Sequence, residues 1–581
     1  MGARRSSEEL VKALREGTVD EAESASAELV QRGTTVVSYL LEGAADPSDE
    51  IRERFVWALA RIGTPEAIPY LIAGLSDPDE HTRDSAAIGL GWMGEAALPA
   101  VRDAMTSRDP ALRAGTARAL GLMHCVKPAE GLLETLLSDP DPAVRAAAAT
   151  ACSELIDPPD TLVARLAQLL SDASPMVRRR AADALLYLGL AAADYLMPLR
   201  SAMSDPDPAV RVAAARAVGQ LGRADETVPI LIQALEGDDP ALRDEAAKAL
   251  EWLGPSAAAA VPQLVELLQR DDPVLSHLAV NVLRAIGPGA AEAVDTLAGR
   301  LDREESARSS VSYALGAIGS PAVPALVERL DDPREQVRAG AAFALSEMDE
   351  EVAAPAAEAL IGLLDDPAAE VRSEAIHSLG HLGQHASEAV DRLLEARSDP
   401  DPSVRGIALW AVRRIDGLSA ETHGPTLMDA LKDDSDYVRT QAAMTLGTVP
   451  DAGPAIIGAL TKALGDTDPF TRRATARALG QLGARASGAS SSLRALLADE
   501  FPLVRTAAAW ALVRVGDAEA GMTVLTGALE DEDSHVRAEA LRTLADLGSP
   551  EGEPLERART LLDDTDAEVR AAALRVVYNL Q

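Results

Sequence analysis

One phrase recurs along the whole chain and leaves little freedom in how it folds. It reads DPAVRAAAA from Asp141, DPAVRVAAARAVGQLG from Asp207, DDPREQVRAGAAFAL from Asp331 and DPSVRGIALWAV from Asp401. Aligned on its Arg, the phrase occurs seventeen times between Arg52 and Arg570, and Ser276 replaces the Arg in the eighth copy. The first and last copies stand 518 residues apart over sixteen steps, a mean period near 32. A period of that length marks a stack of supersecondary units, each burying its apolar face only against its neighbours. The 581 residues therefore predict one growing core rather than several globular domains.

Each unit carries two amphipathic patterns. The first helix is legible in Val323, Leu326, Val327 and Leu330, spaced i, i+3, i+4, i+7. The second is legible in Val404, Ala408, Ala411, Val412 and Ile415. An Asp/Pro turn separates them, because Pro cannot occupy a helix interior and Asp accepts from the free N–H groups of a helix start. The second helix usually closes on Gly, as at Gly63, Gly94, Gly254 and Gly516, where a left-handed C-cap is expected. The fold class is all-α: an α-solenoid of about seventeen helix-turn-helix repeats over residues 46–581. Residues 1–45 lack the phrase and read as two or three short helices that cap the open end. The last helix stops at Val576, Val577 and Leu580 without such a cap.

The phrase resembles the HEAT repeat family, and in particular its phycobilisome-lyase HEAT-like subtype, over nearly the whole chain. The resemblance implies an Asp–Arg ladder between neighbouring repeats. An Asp precedes the Arg by six residues in fourteen of seventeen units, as in Asp46–Arg52, Asp332–Arg338, Asp366–Arg372 and Asp564–Arg570. These residues read as structural. Ser276 removes the Arg from the eighth unit, so a flexible joint is expected near residues 271–308.

The net charge is −37, with 92 acidic residues against five Lys and 50 Arg. That balance resembles proteins of salt-accumulating halophiles, haloarchaea above all. Salt shortens the Debye length to about 3 Å at 1 M and makes such self-repulsion tolerable. It also excludes nucleic acid as the main ligand, since phosphate neutralisation needs a basic surface. No apolar run approaches membrane-spanning length, and MGARRSSEEL is not a secretory signal; its formal myristoylation pattern at Gly2 is read as coincidence, and the cytoplasm is the expected location. The two cysteines, Cys125 and Cys152, allow no disulfide framework, and Cys152 reads as a buried structural thiol.

In HEAT-like stacks the second helices line the concave face. Five residues after the Arg, the repeats present Trp57, Asp183, Arg216, Tyr313, Phe343, His377, Trp410, Met444, Arg477, Trp510 and Arg542 among others. Only one of these seventeen positions is acidic. One helical turn further on, the same face adds Trp92, Tyr187, Trp252, His381, Arg414 and Arg514. All five tryptophans fall in these two columns. Trp, Tyr and Arg dominate interface hot spots, so the columns predict a binding ribbon for a protein or peptide partner. Its cations suit an acidic partner. Tyr313–Phe343–His377–Trp410–Met444 is the expected peptide-binding stretch, with Trp410 and Phe343 dispensable for stability. The competing reading is that large side chains fill a tight groove by packing on one another. The oligomeric state is not legible.

Nothing in the sequence supplies catalysis. Two HEAT-like enzyme families leave an alternative reading, an enzyme or enzyme subunit resembling phycobilin lyase or deoxyhypusine hydroxylase. The hydroxylase resemblance requires His-Glu dipeptides that hold iron, and none of the eight His (His81, His124, His277, His377, His381, His385, His423, His535) precedes Glu. No P-loop, dinucleotide fingerprint or nucleophile elbow occurs. His377 and His381 are spaced to share a metal, but no third ligand accompanies them. No cofactor, metal or catalytic residue is assigned.

Overall fold

The computed structural model describes residues 5–578, apart from 124–126, 156–157, 271, 304, 416–417 and 549–551. Gly2, His124, Cys125 and Leu580 thus lie outside the described residues. The described secondary structure is α-helix and 3-10 helix without strands, so the chain is all-α. It divides into two compact units, 1–286 and 287–581, each a stack of helix pairs.

Local chemistry explains the pairs. Second helices such as Pro208–Gln220, Pro240–Leu253, Pro402–Arg414 and Pro469–Leu482 begin on a Pro that needs no N–H partner. The Asp before the Pro caps them, as Asp207 does toward Ala209 N–H at 2.9 Å and Asp401 toward Ser403 N–H at 2.8 Å. First helices are shorter and often enter through a 3-10 turn, as Gly383–Ala389 precedes Val390–Glu395. The closing glycines do more than the expected left-handed cap. Gly63 is left-handed, but Gly94, Gly189 and Gly254 adopt φ 52–53° with ψ from −121° to −127°. That is the mirror of a type II turn corner, a region closed to side chains, so Asn cannot replace Gly there.

Small side chains fill the layers. In the first unit one buried cluster runs from Leu10 to Val218 and consists mostly of Ala, Leu and Val. In the second unit, Leu525, Leu541, Leu544, Val569 and Val576 form the buried layer near the end. Residues 7–40 form helices Ser7–Glu16 and Val19–Arg32, a 3-10 turn and Val37–Leu40, and bury Leu10, Leu14, Leu29 and Leu40 in the same cluster as Phe55. Each of the two long N-terminal helices starts with a capping box. Cys152 is fully buried, and burial pushes its thiol far above the usual range, which leaves it inert. The run Pro175–Ala202 is long and apolar enough to cross a bilayer. It is instead the second helix of one repeat and the first of the next, joined by the 3-10 turn Gly189–Tyr195.

The Asp–Arg ladder joins most repeats to the following one. Arg52 donates from Nε and Nη2 to both oxygens of Asp77, each at 2.8 Å, and from Nη1 to the carbonyl of Asp46. An Arg with this fork thus holds its own turn by the backbone and the next turn by the carboxylate. The same fork joins Arg113–Asp139, Arg145–Asp172 and Arg178–Asp205 in the first unit. In the second it joins Arg338–Asp366, Arg372–Asp399, Arg405–Asp433, Arg439–Asp466, Arg472–Asp499 and Arg537–Asp564. The Asp also closes its own turn, as Asp139 accepts from Asp141 N–H at 2.9 Å. Arg570, the last ladder Arg, holds the carbonyl of Asp564 at 2.7 Å.

Two of the expected ladder carboxylates are used differently. Asp46 has no repeat before it and stands 3.7 Å from Arg15 of the cap. Asp332 is taken by Arg334 two residues on, because Arg308 turns away to Glu370 at 2.7 Å. The interruption expected at Ser276 is also wider than one position. Within the first unit, Gly237 and Arg270 stand where Arg211 and Arg243 would find a carboxylate, and Ser276 is buried.

Removing one member of a well-buried pair strands the other. Arg372→Gln should therefore cost about 3 kcal/mol and loosen the neighbouring helices, whereas Arg211→Gln should cost less than about 1 kcal/mol. Hydrogen exchange across both sites checks the difference. Hydrogen bonds from Arg113, Arg178 and Arg405, the largest influence on each, hold Asp139, Asp205 and Asp433 below the usual carboxylate range. Their contribution is complete above the unfolded pKa of about 4 and disappears as pH falls through the lower folded values. An acid titration of stability should show that loss only below about pH 4.

Candidate functional site

The inner face is identified by contacts that skip a repeat. Arg179 donates to Glu245 at 2.6 Å in the first unit, and Arg473 to Glu539 at 2.6 Å in the second, each across 66 residues. Side chains two repeats apart meet only on the inside of a curve. The face carrying positions one and two after the Arg is therefore concave in both places, and the ribbon column lies one turn along it. None of the seventeen column residues is buried, while the positions around them pack the core.

The ribbon side chains meet in small groups. Trp57 and Trp92 tilt against each other with ring centroids 5.7 Å apart. Tyr313 and Phe343 meet edge to face at 5.2 Å. His377 stacks on Trp410 at 5.2 Å, His381 joins both, and Arg414 lies 5.4 Å from the Trp410 ring. Arg477 and Arg514 flank Trp510 at 5.9 and 5.8 Å. Arg542 is paired with Glu568 and stands 3.5 Å from Glu539. Asp183, the one acid in the column, sits between Arg216 at 3.4 Å and Arg179 and Arg180 at 3.8 Å.

Exposure divides the ribbon. Trp92, Tyr187 and Trp252 are 61–69% exposed, whereas Trp57, Phe343, His377, Trp410, Met444 and Trp510 are partly buried. Trp410 and Trp510 are seated on glycines of the preceding repeat. A Cβ added at Gly380 would lie 2.4 Å from the Trp410 ring, and one at Gly480 would lie 2.4 Å from the Trp510 ring. Both glycines stand eight residues after their Arg, a pairing that the columns alone did not reveal. Trp410 therefore supports packing as well as presenting an edge, unlike the expectation that it is dispensable for stability. Tyr187, Arg216, Lys248 and Trp252 instead line an open recess of about 400 Å³ with Gln220 and Leu253. A recess lined by two exposed aromatic side chains thus lies in the first unit, away from the expected 313–444 stretch. A second recess, about 530 Å³, lies beside Trp57 and the cap.

Burial sets the protonation of the inner face. It lowers the pKa of both His377 and His381, with Arg414 adding to the effect, so both imidazoles are neutral near pH 7. His377 Nδ1 is buried without a hydrogen-bond partner, and the two Nε2 atoms are 3.3 Å apart. His385 falls beyond the helix end at His381, in the following 3-10 turn. Among the described residues no group of three or more His, Cys, Asp or Glu side chains is placed to hold a metal. One turn before His377, burial pushes the Glu374 carboxyl up to about 7, with Glu370 adding repulsion.

The family model for HEAT repeats matches eleven overlapping stretches, from 37–121 to 490–577, leaving only 414–423 unmatched between them. No curated protein matches the chain. Among solved structures, Kap121p bound to Pho4p aligns with a TM-score of 0.59 at 15% identity, covering 95% of this chain and 68% of that one. Kap95p in its complex with RanGDP aligns at 0.55 and 13% identity, covering 99% and 87%. At these identities the likeness concerns the fold.

Glu374 gives a sign-definite test. Its folded pKa is raised, so its penalty is absent below the unfolded value near 4.5 and complete above about 7. Glu374→Gln should stabilise the protein by roughly 1–3 kcal/mol at alkaline pH and leave it unchanged near pH 4. Denaturant melts at the two pH values distinguish this from a uniform effect.

Proposed function

The chain belongs to the HEAT-repeat family, and on that premise we propose that it is a non-catalytic scaffold that holds protein partners along the inner face of its repeats. One observation carries the reading: Trp92, Tyr187 and Trp252 stand 61–69% exposed on the inner face, and Tyr187 and Trp252 share a recess with Arg216 and Lys248. Trp252 and Tyr187 flank a recess with Arg216 and Lys248, the residue types that anchor protein interfaces. Exposed aromatic surface of that kind on an acidic protein needs a covering partner. The two similar structures are of proteins bound to other proteins, RanGDP and Pho4p, which supports the same use of the fold.

The finer likeness of the repeat phrase to the phycobilisome-lyase subtype remains part of this reading at the level of the repeat. The composition supports a high-salt setting. With net charge −37, self-repulsion is strongest at low ionic strength, and the partly buried ladder pairs are screened much less than exposed charges. The midpoint of thermal unfolding should therefore rise as KCl is increased from about 0.1 M to about 2 M. A midpoint that falls with salt contradicts the high-salt reading.

Trp252→Ala and Tyr187→Ala should leave thermal stability nearly unchanged, because both rings are mostly solvent-facing. The same variants should weaken the capture of specific partners from native lysate at high salt by at least about tenfold, the scale of an interface hot spot. If both variants retain the full set of captured proteins, the inner-face reading fails. Trp410→Ala, by contrast, should lower the unfolding midpoint, because its ring is packed on Gly380 and His377.

A further inference from the structure

Three arginines converge on one small cavity in the second unit. A recess of about 330 Å³ is lined by Arg413, Arg473, Arg477, Met444 and Thr440, and Phe470 stands at it 67% exposed. Arg473 and Arg477 both donate to one oxygen of Glu539, at 2.6 and 2.8 Å. Arg413 differs from them. Among the described residues no carboxylate pairs with it, and burial followed by the nearby Arg414 lowers its pKa. The Nε atoms of all three arginines are buried without a hydrogen-bond partner.

That arrangement is costly for a chain of this composition. A partly buried guanidinium without an anion loses hydration and gains nothing in return. The chain has 92 acidic residues, and among the described residues it supplies a carboxylate to twelve ladder arginines and to Arg473 and Arg477. Here Arg473 and Arg477 share one carboxylate, Glu539, which Arg542 also approaches at 3.5 Å, and among the described residues Arg413 has none. The recess is therefore a positive spot on a protein of net charge −37.

We propose that this recess receives an acidic side chain of a partner protein, Asp or Glu, with an adjoining apolar or aromatic side chain seated against Phe470 and Met444. The proposal rests on the scaffold reading and adds the chemistry of what is gripped. Glu539 shows the geometry, since two of the three arginines already hold a carboxylate of the chain itself. Arg offers a planar fork that matches a carboxylate, and several of its donors remain free at this site. Charge complementarity selects the partner locally, while the rest of the surface repels acidic chains that lack the matching apolar neighbour.

The test uses the full-length protein and two labelled peptides, a repeat of Asp-Phe-Glu-Phe and its uncharged counterpart Asn-Phe-Gln-Phe. Fluorescence anisotropy is read at about 0.5 M KCl, where long-range repulsion is screened. The acidic peptide should bind at least about tenfold more tightly than the uncharged one. Arg413→Gln should remove at least that factor, and Phe470→Ala, a change at a mostly exposed ring, should weaken binding severalfold while the helical circular dichroism and unfolding midpoint stay unchanged. Equal affinity for the two peptides, no binding of the acidic one, or insensitivity to both substitutions overturns the proposal. In each of those cases, partner capture that still depends on Trp252 leaves the scaffold reading intact. Capture insensitive to Trp252 and Tyr187 removes the scaffold reading, while the peptide result decides the recess independently.

Discussion

The bidentate bond between one repeat's Arg and the next repeat's Asp is the constraint on which the rest depends. It fixes three things with one side chain. The Nη1 donor holds the turn of its own repeat, Nε and Nη2 hold the next turn, and the Asp in turn orients its own backbone, as around Asp139. Helical layers built from Ala and Leu are smooth and can slide. A directional, partly desolvated ion pair at most steps gives them a register that non-directional burial cannot. Where Gly237 and Arg270 replace the Asp, the fork is lost and Arg270 instead reaches Glu236 at 2.9 Å.

That register explains why the inner face can be crowded and still ordered. Arg179–Glu245 and Arg473–Glu539 reach across two repeats, so small changes in stacking would separate them. Between these bridges the aromatic side chains are either seated, like Trp410 on Gly380, or left standing, like Trp252. The two competing readings of the ribbon thus both apply, each to different residues. Seated rings stiffen the groove, and standing rings present surface. The same crowding strands charges: Glu374 is buried among other carboxylates, and Arg413 lacks an anion.

Much of this was legible beforehand. The period, the Asp/Pro turn and the terminal Gly depend on local backbone chemistry, so the helix pairs around Val323–Leu330 and Val404–Ile415 could be read directly. The face bearing Trp57 to Trp510 was legible because helical periodicity places those positions together. Burial along that face was not legible. Whether a Trp is seated depends on a Gly in the preceding repeat, which one repeat's pattern does not contain. The expected stretch at 313–444 was chosen for apolar character, and that choice missed the open recess at Tyr187 and Trp252.

The sequence by itself determined the all-α repeat, the ladder residue types and the shared face of the two columns, because each follows from spacing along one helix or one turn. Only the tertiary structure decided which carboxylate each Arg takes, how far the ladder is interrupted, which aromatics stand in solvent and which arginines are left without an anion. Those outcomes depend on distances between side chains some 25 to 66 residues apart. Such distances are set by how the layers stack, a property of the assembled repeats that is written in none of them singly.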